Sequence, residues 1–258
     1  LIAADSLIVA VSQSGHSAEI IDLLDLAQGR ADLIAITNDA GSPLAAHSRV
    51  FIPLRAGPEY TVSCKTYLNT LAALTALGDD LADDTPQLPA LQDAPARVDA
   101  YLADWAGHVA WIREHMAAAT HLVLLGRGDS LAAAHTGSLI IKEAARFPAQ
   151  AMSCAAYRHG PIEITAPETH TVIFAGAPAV RRLNQNLADD IRQFGGAAHL
   201  VDMRGADADG PFNLPQTDLP ALPLVEILPA QMLSVALADL AGREPGVFHF
   251  AAKVTTVQ

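Results

Sequence analysis

The residues best suited to chemistry in this chain are Ser12-Gln13-Ser14-Gly15-His16-Ser17. An apolar, strand-like run at 7–11 leads into them, and a helical pattern begins at Ala18. A strand that empties through a hydroxyl-rich turn into a helix can cradle a phosphate. Backbone N–H groups and serine hydroxyls converge there, where the helix dipole is positive. A phosphomonoester has several acceptor oxygens, which three hydroxyls and a side-chain amide suit. One serine would read as an ordinary N-cap; three within six residues favour the cradle.

Three other side chains could move protons or form bonds. Glu143 is of the type that returns a proton it has taken, once partial burial lifts its pKa toward neutrality. By pattern alone, a solvated charge beside Lys142 is the better account of it. His159 precedes Gly160-Pro161, which places it on a turn, where an imidazole can shuttle a proton or simply serve the turn. Lys253 lies in an apolar tail, between Phe250-Ala251-Ala252 and Val254. Desolvated, it would be an amine nucleophile; otherwise it is an exposed terminal lysine. Gly126-Arg127-Gly128-Asp129-Ser130 lacks the third glycine and the acidic ribose partner of a dinucleotide site, so NAD is rejected and no cofactor is expected. Cys154 reads as a small buried residue.

The elements that must position these groups alternate. Strands at 7–11, 33–37 and 50–52 are interleaved with helices near 18–28, after Ser42 and at 62–81. An acidic, proline-bearing connector at 79–95 precedes a helix at about 97–118. The pattern then restarts, with strands at 121–125, 171–175 and 198–202 and helices at 131–147 and 180–195. A proline-rich loop at 211–223, a helix at 229–240 and an irregular tail close the chain. Apolar strands alternating with helices imply an α/β fold with parallel sheets, built here as two blocks. The expected divisions are a first domain at 1–78, a connector and linker helix at 79–119, a second domain at 120–242, and a tail at 243–258 that packs over the site. The first block opens directly on its serine-bearing strand, so an opening strand and helix are expected upstream of Leu1.

Composition narrows the function classes. Among 258 residues, 51% are apolar and 17% charged, which marks a globular chain with a sizeable core. A net charge of −12 with no basic patch argues against nucleic acid, while leaving a small phosphate open. No apolar run resembles a membrane span and no signal peptide pattern opens the chain, so no membrane partner is expected. Cys64 and Cys154 read as reduced thiols of a cytoplasmic protein. The ten histidines show no metal-type spacing, and no metal is expected.

Motifs in register along nearly the whole chain resemble the sugar isomerase (SIS) domain family, and within it the isomerase half of the glutamine–fructose-6-phosphate transaminases. They are SQSGHSAE at 12–19, AITNDAGSPLA at 35–45, AGPEYTVS at 56–63, LLGRGDS at 124–130, IKE at 141–143, YRHGP at 157–161 and AAKVTTVQ at 251–258. The resemblance implies two flavodoxin-like domains, a sugar-phosphate ligand, and a homodimer whose active sites are shared between subunits. It matches Ser12, Gln13, Ser14 and Ser17 to the phosphate-binding turn, and Val62 and Cys64 to sugar-contacting positions. It also matches Glu143 to the catalytic carboxylate, His159 to the ring-opening histidine, and Lys253 to a Schiff-base lysine.

There are departures. Ile140 stands where the transaminases carry a lysine, Ala156 where a glutamate is usual, and no segment resembles a glutaminase domain. The expected activity is therefore aldose–ketose isomerisation of an amino-sugar or hexose 6-phosphate. Deamination of glucosamine 6-phosphate and sugar-phosphate sensing without turnover are the alternatives.

Overall fold

A computed structural model describes every residue except 1, 4, 28, 83–85, 204–209 and 251–258. The chain divides into two units, Leu1–Leu88 with Phe248–Gln258, and Pro89–Val247.

In the first unit, β1 (Leu7–Ser12), β2 (Asp32–Thr37) and β3 (Val50–Pro53) form a parallel sheet in that order. Ala10 is level with Ala35, and Ala35 with Phe51. The helices α1 (Ala18–Ala27) and α2 (Pro43–His47) cover the face that carries Ala10, Leu33 and Ala35, through Leu24 and Leu44. Central β2 is buried from Leu33 onward, as its unpatterned apolar run requires. β1 is an edge strand among the described residues, and Leu7, Val9 and Val11 stand exposed on it. The helix α3 (Lys65–Leu81) begins later than the expected 62, so Val62 and Cys64 belong to the segment that leads into it. The cause is Glu59. Its buried carboxylate accepts from the Cys64 N–H at 2.8 Å and the Lys65 N–H at 2.6 Å, which fixes the helix start there. Burial pushes this carboxyl up, but the Thr66 side chain and the N–H donors of residues 64–66 outweigh it and leave the pKa below the ordinary glutamate value.

In the second unit the expected single linker helix is two, α4 (Ala94–Leu102) and α5 (Trp105–His115). The break falls where Asp104 leaves helical geometry, with φ −116° and ψ 33°. Tyr101 is pinned just before it by a bond from its hydroxyl to the Pro211 carbonyl, 2.7 Å. The sheet has the order β5-β4-β6-β7, all parallel: β4 (His121–Gly126), β5 (Ala149–Ser153), β6 (Thr169–Phe174) and β7 (Ala197–Val201). β5 was not anticipated. The helices are α6 (Ser130–Ile140), α7 (Cys154–Arg158), α8 (Pro178–Gln193), α9 (Leu222–Glu226) and α10 (Leu228–Leu240). α6 does not run as an α-helix to 147; it passes into a π-turn, Ile141–Ala145. α9 occupies part of the expected proline-rich loop. The stretch Leu219–Leu240 is long and apolar enough to cross a bilayer by composition, yet 83% of its most apolar window is buried, as in a core helix.

Candidate functional site

The turn after β1 is built by its own serines. Ser12 Oγ accepts from the Gly15 N–H at 3.0 Å, and Ser14 Oγ from the His16 N–H at 3.2 Å. A hydroxyl that accepts in this way keeps its proton to donate outward. The side chains of Gln13 and Ser17 make no hydrogen bond to the described residues, and both are half-buried. Ser17 caps α1 through its carbonyl, which receives the Ile20 and Ile21 N–H groups. Three serine hydroxyls and an amide thus stand in the turn that leads into the positive end of a ten-residue helix.

A second turn buttresses the first. Gly15 sits at φ +68°, and a Cβ there would come within 2.4 Å of Ser42 Oγ, so only glycine fits. Ser42 is fully buried, donates to the Asp39 carbonyl at 2.7 Å and caps α2 at the Ala45 N–H. His16 Nε2 lies 3.0 Å from Asp39 Oδ2. The Gly41 N–H and the His16 ring hold the Asp39 carboxyl below its usual range. Asn38 ties the loop after β3 to this rim, accepting from the Ala56 N–H and donating to the Gly57 carbonyl.

The corresponding turn of the second unit is closed. Its sheet order places the crossover between β4 and β6, where ligands of open α/β sheets usually bind. Here, however, the Ser130 hydroxyl is spent on Glu226 Oε1 at 3.0 Å, and Glu226 is 1% exposed. Arg127 is held by Asn184 Oδ1 at 2.8 Å, and Asn184 in turn donates to the Phe174 and Ala175 carbonyls. Burial pushes the Glu226 carboxyl up to about 7, against the downward pull of the bonds from Ser130 and the Gly176 N–H. The hydroxyl and the guanidinium of this turn are thus already engaged within the fold, in contrast to the serine turn of the first unit. Glu226 carried no signal in the sequence, because it lies between the expected loop at 211–223 and the expected helix at 229–240.

Glu143 and His159 both belong to the second unit. Glu143 rides the π-turn, half-buried; burial raises its pKa and the Lys142 charge partly opposes that rise. His159 is the exposed residue that ends α7, a helix that Ser153 caps at the Ala156 N–H, 3.0 Å. Arg158 anchors that end to Asp190 at 2.6 Å. Cys154, fully buried, has its thiol pushed up to about 11 by burial and is no nucleophile. Lys253 lies outside the described residues. Among the described residues, no three His, Cys, Asp or Glu side chains converge as metal ligands would.

The family model for the SIS domain matches residues 1–78. Over 98% of its length the chain is 28% identical to the glutamine–fructose-6-phosphate aminotransferase (isomerizing) of Pyrobaculum aerophilum, and it spans 44% of that relative's length. Among solved structures, a protein named as a phosphosugar isomerase from Silicibacter pomeroyi DSS-3 is 30% identical, with a TM-score of 0.77. That match covers 92% of this chain and 72% of the other. The chain belongs to the SIS family. The C-terminal domain of glucosamine-fructose-6-phosphate aminotransferase from Francisella tularensis shares the fold, with a TM-score of 0.84 at 24% identity over 93% of this chain and 73% of that one. The SIS match at 1–78 includes the serine turn and its Asp39–Ser42 buttress.

Proposed function

We propose that this SIS protein binds an amino-sugar or hexose 6-phosphate and isomerises it between aldose and ketose. The phosphate is held by Ser12, Gln13, Ser14 and Ser17. Val62 and Cys64, on the segment Glu59 fixes, contact the sugar. Glu143 takes the proton from one of the two carbons C1 and C2 and returns it to the other, through an enediol or enolamine. His159 shuttles the ring-opening proton. The observation that carries the reading is the donor set at the head of α1: the Ser12 and Ser14 hydroxyls accept turn N–H groups and can still donate their own protons, and Ser17 and Gln13 stand beside them with no hydrogen bond to the described residues. The half-buried carboxyl on the π-turn is its chemical complement, since a raised pKa brings a carboxylate nearer to the proton affinity of the carbon acid it serves.

The test is solvent exchange. Wild-type protein in D2O should wash deuterium into C1 of fructose 6-phosphate, followed by proton NMR. Glu143→Gln should slow exchange by about 10²–10⁴-fold, the usual worth of a positioned base, while keeping ligand-induced thermal stabilisation. Ammonia appearing from glucosamine 6-phosphate would move the reading to deamination. Stabilisation without exchange in the wild type would move it to sensing.

A further inference from the structure

The turn that carries Glu143 is irregular, and the structure holds it from outside. In a π-turn the chain inserts a residue into the helical ladder, which re-aims the side chains on it and releases carbonyls from their usual partners. The turn stops at Arg146, which is left-handed at φ 52° and ψ 42°, a strained conformation for a non-glycine residue. Such a state persists only where its surroundings over-determine it. The carbonyls of Ala144, Ala145 and Arg146 have no following helical N–H to receive. One segment supplies all three: Gly246 N–H reaches the Ala144 carbonyl at 3.3 Å, and Arg243 Nη1 reaches those of Ala145 at 2.9 Å and Arg146 at 3.3 Å.

Arg243 is itself aimed by the way α10 ends. Gly242 adopts φ +62° just past the helix. Its N–H donates to the Asp239 carbonyl at 2.9 Å, and the Arg243 N–H donates to the Ala238 carbonyl at 2.9 Å. This paired 5→2 and 6→1 bonding is a Schellman stop, which fixes the direction of the residue after the glycine. The guanidinium also meets the negative end of the helix it caps, a favourable pairing.

We propose that Arg243 is a positioning residue: it caps the freed carbonyls of the π-turn and so holds Glu143 at the angle that proton transfer requires. The proposal rests on the reading of Glu143 as the proton-transfer group, and its test separates the two. Arg243→Ala should lower kcat for fructose 6-phosphate exchange about 10–100-fold, the scale of a catalytic group misplaced by about 1 Å, with KM within about twofold. Millimolar guanidinium should restore part of the loss, and Arg243→Lys, with a single-point donor, should fall between. A kcat for Arg243→Ala within about twofold of wild type, beside an inactive Glu143→Gln, overturns the clamp alone. So does a loss carried by KM that guanidinium does not relieve. An active Glu143→Gln overturns the reading of Glu143 instead. Amide hydrogen exchange across 141–147 reads the clamp directly: it should accelerate in Arg243→Ala, and unchanged protection overturns the clamp.

Discussion

Ser14 and its neighbours separate binding from scaffolding at the scale of single residues. Ser14 Oγ accepts from the His16 N–H, and a hydroxyl that accepts can still donate its own proton. Removing the hydroxyl therefore takes one donor from the ligand and one acceptor from the turn. A hydrogen bond to a charged partner is worth about 1.5–3 kcal/mol. Ser14→Ala should accordingly weaken hexose 6-phosphate binding by roughly 10–150-fold, measured by calorimetric titration, and leave the weak affinity for the unphosphorylated sugar unchanged. This part of the site was legible because its chemistry is local: strand, small polar turn and helix are consecutive in the sequence. Gly15 was legible only as a glycine. That it must be one follows from Ser42, which the fold brings against it.

The helix α9 decides which of the two turns can take an anion. Its Glu226 fills the crossover crevice of the second sheet and takes the Ser130 proton donor. The Glu226 carboxyl is raised to about 7 from an ordinary value of 4.5, so its neutral form is the one the fold prefers. The stability it allows is fully present below the ordinary glutamate pKa and is lost as pH rises through about 7. The difference at alkaline pH is on the order of 3 kcal/mol. Glu226→Gln keeps an acceptor for Ser130 without the charge. It should raise Tm at pH 8 by several degrees and change it little at pH 5, followed by calorimetry.

Elements differed sharply in how plainly the sequence announced them. β4 is buried from Leu122 onward and β6 throughout, and each carries an apolar run, Leu122–Leu125 and Val172–Phe174, that reads as a strand. β5, Ala149-Gln150-Ala151-Met152-Ser153, has no β-branched or aromatic residue, and its pairing with β4 makes it a strand. α9 hid behind prolines: Pro223 stands in its first turn, where a missing N–H costs nothing. The π-turn left no trace in composition, because the side chain that caps it lies 98 residues further along the chain.

At the scale of the molecule, the family was legible from the order of its motifs, none of which is specific alone. The roles of Glu59, Glu226 and Arg243 were not, since each acts through groups that only folding brings near. A chain with net charge −12 nonetheless presents, at one helix terminus, a set of donors suited to a dianion, and local geometry there outweighs the global balance. The most direct measurement is a crystal of this chain soaked with fructose 6-phosphate. Phosphate density is expected within hydrogen-bond distance of the Ser12, Ser14 and Ser17 hydroxyls, at the head of α1. Density for the sugar phosphate elsewhere, with the serine turn bare, would contradict it.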